Sequence, residues 1–265
     1  MRHSFLDRYR EGSSLIHRLD PRLKLLATLA FVLATTTTPS RGWLAFVSLA
    51  ALALSATVTA GIPLAEALKR STIALPFAGM VALSLPFTQG GEAVWSWTVF
   101  NWPLTVTDEG VCLFVAVVVK AWLSVMFSGL LVATTPFPDL LKAMRSLRVP
   151  TVLTATISFM YRYLFVLTDE AMRLQTARAA RSAGSGRTVW WRAHVLGGMI
   201  GSLFIRSYER GERIYAAMLS RGFGGEVRSL TRLRWQVHDS WVGLGWMLAL
   251  SGVTLLGRTP FPFPL

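Results

Sequence analysis

The sequence predicts an all-α integral membrane protein, with about five transmembrane helices and long cytoplasmic helices between the fourth and last spans. Three observations carry this prediction. Hydrophobic residues fill 52% of the 265 positions and charged residues only 15%, whereas a soluble domain usually carries about 25% charged residues. The chain is both apolar, with a mean hydropathy of +0.46, and basic, with a formal charge of +13. That combination fits a membrane protein with a positive cytoplasmic part. A nucleic-acid binder shares the basicity but has no need of long apolar runs, so no nucleic-acid partner is expected. The third observation is the uncharged runs themselves.

These runs place the elements in order. Asp20 and Pro21 open the first helix as an N-capping carboxylate followed by a proline at the first helical position. Its apolar run, Leu25–Ser40, reaches across if Arg22 and Lys24 snorkel to the interface. Gly42–Ala65 and Ser71–Gly91 follow, each uncharged and about the 20 residues a span requires. Glu92–Glu109, with a turn-like Asn101, Trp102 and Pro103, reads as an external loop. Gly110–Pro138 is the fourth span, interrupted only by Lys120. The last, Ser240–Gly257, carries Trp241 and Trp246 as interface residues. Two shorter runs, Val149–Tyr161 (continuing past Arg162 to Thr168) and Ala193–Ile205, read as apolar parts of long helices lying along or under the bilayer.

Positive charge sets the orientation. Residues 1–24 hold six Lys and Arg, Lys69 and Arg70 follow the second span, and residues 136–235 hold sixteen, against Arg41 and Arg258 on the other side. By the positive-inside bias, the N-terminus and block 136–235 are cytoplasmic and the C-terminus is external. Asp7, Glu11 and Asp20 interrupt the start, so insertion is expected to use internal segments. The chain divides into residues 1–135 (N-terminal segment and four-span bundle), 136–235 (cytoplasmic helices) and 236–265 (last span).

Within the cytoplasmic block, Pro136, Pro138 and Asp139 start a short helix. Leu140, Leu141, Met144 and Leu147 share one of its faces, and Lys142, Arg145 and Arg148 the other. This is the pattern of an interfacial amphipathic helix or of an ordinary connecting helix. Two long helical patterns follow, from Thr151 to about Ser182 and from about Val189 to Ser220. The first ends in Ala180, Arg181 and Ser182, the second in Ser220, Arg221 and Gly222. Each ending sets one arginine between small residues just before glycines. Small neighbours leave the guanidinium exposed, glycine supplies the left-handed cap, and arginine offers a planar fork of donors for a partner's carboxylates. Complementing the helix dipole is the alternative role for such an arginine.

On these endings the chain resembles the transmembrane T component of an energy-coupling factor (ECF) transporter, an ABC-type importer for vitamins and transition metals. Such proteins have two cytoplasmic coupling helices, each ending in an Ala-Arg-Gly-like motif, and both endings here match at the arginine and differ at one small residue. The stretches Glu170 to Arg181 and Glu212 to Met218 are similar to the two coupling helices. Ser14 to Leu25, containing His17, Asp20, Pro21, Arg22 and Lys24, is similar to the opening of the cobalt-type members (CbiQ). The resemblance implies a bacterial or archaeal inner-membrane subunit that is not itself an enzyme. Its implied partners are two ABC ATPase subunits, docked through Arg181 and Arg221, and a substrate-binding membrane subunit, all within membrane lipid. It implies no cofactor on this chain, with ATP and Mg in the ATPase subunits. The cargo implied first is cobalt, with nickel or a vitamin as alternatives.

The remaining residues bound other classes. None of the four lysines, Lys24, Lys69, Lys120 and Lys142, lies in a phosphate-binding Gly-x-x-x-x-Gly-Lys-Ser/Thr loop. His3, His17, His194 and His238 are scattered and Cys112 is the single cysteine, a poor set for metal ligation. A lipid-modifying enzyme would need clustered carboxylates, yet only Asp108-Glu109 and Asp169-Glu170 are adjacent. A secondary transporter would show discontinuous spans in matching halves. Lys120, an ionisable residue inside a span, is an intramembrane functional candidate, with pairing to a carboxylate or to carbonyl groups as its structural alternative.

Overall fold

The computed structural model describes residues 9, 12, 14–91, 93–99, 102–181, 188–225, 233 and 235–258. The chain runs through α1 (Leu15–Arg18), α2 (Pro21–Thr37), α3 (Trp43–Thr59), α4 (Leu64–Thr72), α5 (Ala74–Ala82) and α6 (Leu85–Thr88). An antiparallel pair, β1 (Ala93–Val99) and β2 (Trp102–Thr107), precedes α7 (Asp108–Thr134), α8 (Phe137–Ser146), α9 (Thr151–Arg181), α10 (Val189–Ser220) and α11 (Val237–Arg258). The fold is helical, as expected, apart from that hairpin. What reads as a loop at 92–109 is a β-ribbon because Val, Trp and Thr dominate both arms, and such residues favour strands.

Contacts divide the molecule into two units. One holds α1–α7, the hairpin, the start of α8, and α11; the other holds the end of α8 with α9 and α10. In the first unit, α7 is the hub, packed on α2, α3, α4, α5 and α6, while α11 lies on α2 and α3. Phe31, Leu49 and Leu123 are fully buried there, among the small residues Ala45, Ala53, Ala116 and Ala133. Phe31 of α2 stacks on Phe127 of α7 at 4.3 Å, and Phe127 on Trp246 of α11 at 5.3 Å. Trp246 is partly buried and its ring packs on that core, whereas Trp241 is exposed. Gly110 permits the closest approach: a Cβ there would stand 2.6 Å from the Leu85 carbonyl oxygen and 2.7 Å from the Pro86 Cα.

Among the described residues, four segments have the length and composition to cross a membrane: 64–88, 108–134, 151–181 and 237–257, with Trp43–Thr59 as a shorter apolar helix. The third span is discontinuous, with breaks after Thr72 and Ala82. Pro76 and Pro86 fall in the first turns of α5 and α6, where the missing N–H costs nothing. The helix α9 runs unbroken from Thr151 to Arg181, through the expected continuation past Arg162 to Thr168. Length and composition therefore admit it as a crossing segment and do not by themselves place it beneath the bilayer.

The second unit is a helical hairpin. Glu170 of α9 pairs with Arg206 of α10 at 3.0 Å, Arg178 stacks over the ring of Trp191 at 5.9 Å, and Phe159 meets Phe223 edge-on at 6.2 Å. Rising positions on one helix meet falling positions on the other, so the two run antiparallel. These contacts are individually weak, about 1 kcal/mol or less for exposed pairs. Among the described residues, α9 buries only Thr154 and α10 buries none.

Candidate functional site: two arginine-tipped helix ends

The ends of α9 and α10 are built by local chemistry. Pro150 starts α9, its carbonyl accepting from the amides of Leu153 and Thr154, and the helix runs 31 residues to Arg181. Ala180 and Arg181 are exposed; Ser182 lies outside the described residues. At the end of α10, the Phe223 amide donates to the Met218 carbonyl at 3.0 Å and the Gly222 amide to Leu219 at 2.9 Å. Gly222 has φ +76°. This is the paired-bond stop in which a left-handed residue reverses the chain. Arg221 is the C-cap residue, and Ser220, Arg221 and Gly222 are all exposed. The Ser220 hydroxyl donates back to the Ala217 carbonyl, so it leaves the guanidinium clear.

Antiparallel packing sets the spacing of the two tips. Phe223 lies beside Phe159, which places the α10 end near the start of α9. Arg181 lies roughly 22 residues further along α9, so the arginines are about 33 Å apart at 1.5 Å rise per residue. The structure thus holds the two endings at opposite ends of one hairpin. Among the described residues, neither guanidinium has a hydrogen-bonded or ionic partner within the chain.

Sequence reasoning missed an apolar stripe on α10. Ile200, Phe204, Tyr208, Tyr215 and Leu219 are all at least half exposed, and their spacing keeps them on one helix face. The i, i+4, i+8 spacing is its signal in the sequence; Ile200 and Phe204 fall within the apolar run Ala193–Ile205, and Tyr208, Tyr215 and Leu219 lie beyond it.

Lys120 turns out to serve a helix end. Its Nζ donates to the Thr36 carbonyl at 3.0 Å, one of the carbonyls in the last turn of α2 that have no partner within the helix. The cation also complements the negative end of that dipole.

A polar knot at the opposite end of α2 overturns the snorkelling expected of Lys24. Lys24 is 8% exposed, and its Nζ donates to the carbonyls of His17 and Thr134, each at 3.1 Å. Turning inward satisfies the ammonium with fixed acceptors, and the carboxylates of Asp20, Asp139 and Asp239 lie close enough to act on its charge. Asp20 caps α2 as expected, accepting from the Arg22 amide at 2.8 Å. Asp239, 3% exposed, accepts from the amides of Asp20 at 3.3 Å and Gln236 at 2.9 Å. The knot therefore joins the start of α2, the end of α7 and the start of α11. The start of α8 is next to it, where Asp139 pairs with Lys142 at 2.7 Å. Leu141 and Ala143 of α8 are buried, so that helix packs on protein and does not lie freely in an interface.

Among the described residues, no three His, Cys, Asp or Glu side chains stand close enough to hold a metal ion. The candidate groups sit at helix ends and on exposed helix faces. The fold defines a multi-pass helical membrane protein.

A family model described as cobalt transport protein CbiQ matches residues 12–233. The chain belongs to that family, the transmembrane T components of ECF transporters. It is similar to the energy-coupling factor transporter transmembrane protein EcfT of Lacticaseibacillus paracasei, at 29% identity over 96% of this chain and 98% of the relative. The EcfT of Acidaminococcus fermentans is 30% identical over 98% and 97%. The cobalt transport protein CbiQ of Rhodobacter capsulatus is 30% identical over 58% of this chain and 63% of the relative.

Proposed function

We propose that this subunit couples ATP hydrolysis in two separate ABC ATPase subunits to uptake by a substrate-binding membrane subunit. Arg181 and Arg221 each dock into one ATPase subunit, and no catalytic group or cofactor resides on this chain; ATP and Mg belong to the ATPases. The observation that carries this reading is the pair of exposed arginines, without a partner among the described residues and about 33 Å apart on one hairpin, a spacing that suits two docking partners better than one pocket. When the ATPase pair closes on ATP, the two tips are driven toward each other, and the hairpin passes that motion to the membrane-embedded partner. The apolar stripe Ile200–Phe204–Tyr208 supplies a surface for that partner. The N-terminus and hairpin face the cytoplasm and the C-terminus the outside, following the Lys and Arg distribution.

Charge reversal tests the docking. Arg181→Glu and Arg221→Glu should each reduce co-purification of the ATPase subunits and lower uptake, by the 2–5 kcal/mol or more typical of a broken charged hydrogen-bonded contact. Normal complex recovery and uptake in both variants refutes it.

Cobalt is the proposed cargo, supported by the family description and by the opening from His17 to Lys24. A second reading, a T component serving another cargo such as nickel or a vitamin, is favoured by one observation. The EcfT relatives align over nearly the whole chain, whereas the cobalt-named relative covers 58% of it. Identifying the substrate subunit that co-purifies from the native membrane separates the two.

A further inference from the structure

Each arginine-bearing tip stands beside a ring contact that crosses the hairpin. On α9, Arg178 precedes Arg181 by three residues, about 4.5 Å along the helix. Arg181 is exposed, whereas Arg178 is partly buried, with its guanidinium 5.9 Å from the ring centre of Trp191 on α10. Of the two adjacent tryptophans, Trp190 is 86% exposed and Trp191 is partly buried. At the other tip, Gly222 reverses the chain at φ +76° between an exposed Arg221 and a partly buried Phe223. A helix stop of this kind needs only an apolar residue packed on its own last turn. The Phe223 ring goes further and meets Phe159 of α9 edge-on at 6.2 Å.

Between these two contacts lies the Glu170–Arg206 pair, at 3.0 Å. A link near the middle of two rods fixes where they meet and leaves their angle free, whereas a link near an end fixes the angle. The chemistry of the links differs in the same sense. Aromatic pairs prefer edge-on or offset geometry, and a guanidinium is attracted to the face of a ring, so both end contacts specify direction as well as distance. An exposed ion pair between long side chains specifies little of either.

We infer that Trp191 and Phe223 are positioning residues. Their rings, set against Arg178 and Phe159, fix the spacing and direction in which the hairpin presents Arg181 and Arg221. The inference rests on the docking role proposed for those two arginines, and the rings act through the arginines without themselves touching an ATPase subunit.

Pulsed electron spin resonance on the full-length chain in detergent tests it. Spin labels on Ala180→Cys and Ser220→Cys, in a Cys112→Ala background, report the distance between the tips. The parent chain should give one narrow distribution. Trp191→Leu and Phe223→Leu should each raise the ratio of other distances to that one about fivefold, the weight of one ring contact in an equilibrium, with helix content unchanged. Trp191→Phe and Phe223→Tyr keep a ring and should restore the narrow distribution. An unchanged distribution in both leucine variants overturns the inference, as does equal broadening in the leucine and ring-keeping variants. In the assembled transporter, the leucine variants should still recover the ATPase subunits but lose the change in tip distance on adding ATP. Loss of ATPase recovery as complete as in Arg181→Glu and Arg221→Glu overturns the inference, because the rings would then be docking groups. Full recovery in both arginine variants refutes the docking instead, and leaves the distances measured on the isolated chain to decide whether the rings set the tips.

Discussion

Replacing Lys24 by methionine tests the polar knot that roots the membrane bundle. The substitution keeps the stem and removes the ammonium, so two carbonyls 3.1 Å away, those of His17 and Thr134, lose their donor. It also leaves Asp20 and Asp239, 4% and 3% exposed, without the nearby cation that offsets them. Removing one partner of a buried charged pair costs about 3–5 kcal/mol. For 150–250 residues, each kcal/mol moves Tm by about 2–4 °C, so Lys24→Met should lower Tm by about 6–20 °C. The assay is thermal unfolding in detergent, followed by a thiol-reactive dye at Cys112, which is partly buried. A lysine snorkelling to an interface would lose little on the same change. A Tm within about 1 °C of the parent protein therefore refutes the knot. Adding Asp239→Asn to Lys24→Met should cost less than the two changes summed, because groups in one network are non-additive.

Other perturbations follow from single positions. Gly110→Ala would press a methyl onto the backbone of Leu85 and Pro86, and overpacking of this kind costs about 1–3 kcal/mol; an unchanged Tm refutes that packing. Arg148 ends α8 at φ +66°, with its amide donating to Arg145 and the Val149 amide to Met144. It occupies the left-handed position that Gly222 holds at the end of α10. Gly222→Ala should therefore destabilise by about 1 kcal/mol, and Arg148→Gly should stabilise or be neutral; the reverse order in chemical denaturation refutes the assignment. In a Cys112→Ala background, a cysteine at position 185 should label with impermeant thiol reagents only from the cytoplasmic side. Labelling from outside would mean that α9 crosses the bilayer.

The features legible in the sequence were those carried by local pattern. The Asp20-Pro21 helix start, the helix stop at Gly222 and the long helices ending at Arg181 and Ser220 depend on neighbours within a few residues, and the chain prints those neighbours in order. The features missed depend on residues far apart. Lys24 stands at the edge of an apolar run, where snorkelling is the local expectation, and only the approach of Thr134, more than a hundred positions away, turns it inward. Trp246 reads as an interface residue from its own run, and only the approach of Phe31 and Phe127 shows that its ring also packs on the core. The broken third span was half visible: Pro76 and Pro86 are plain in the sequence, but an uncharged run conceals how many helices it contains. Arginine position could be read from sequence, whereas tip spacing could not, because it depends on α9 and α10 running antiparallel.

That antiparallel pairing also bears on what kind of lever the hairpin is. The first unit has a core of stacked aromatics and fully buried Leu49 and Leu123, so its helices resist relative motion. Among the described residues the hairpin has no such core: the links between its helices of 31 and 32 residues include an ion pair, a cation over a ring and an edge-on aromatic contact. Each helix is stiff along its axis because its backbone bonds are internal, while the angle between the two is held by contacts worth about 1 kcal/mol or less each. Rigid rods on a compliant crossing can change their angle without breaking backbone hydrogen bonds. That is the property required if the force of a separate ATPase pair enters at Arg181 and Arg221.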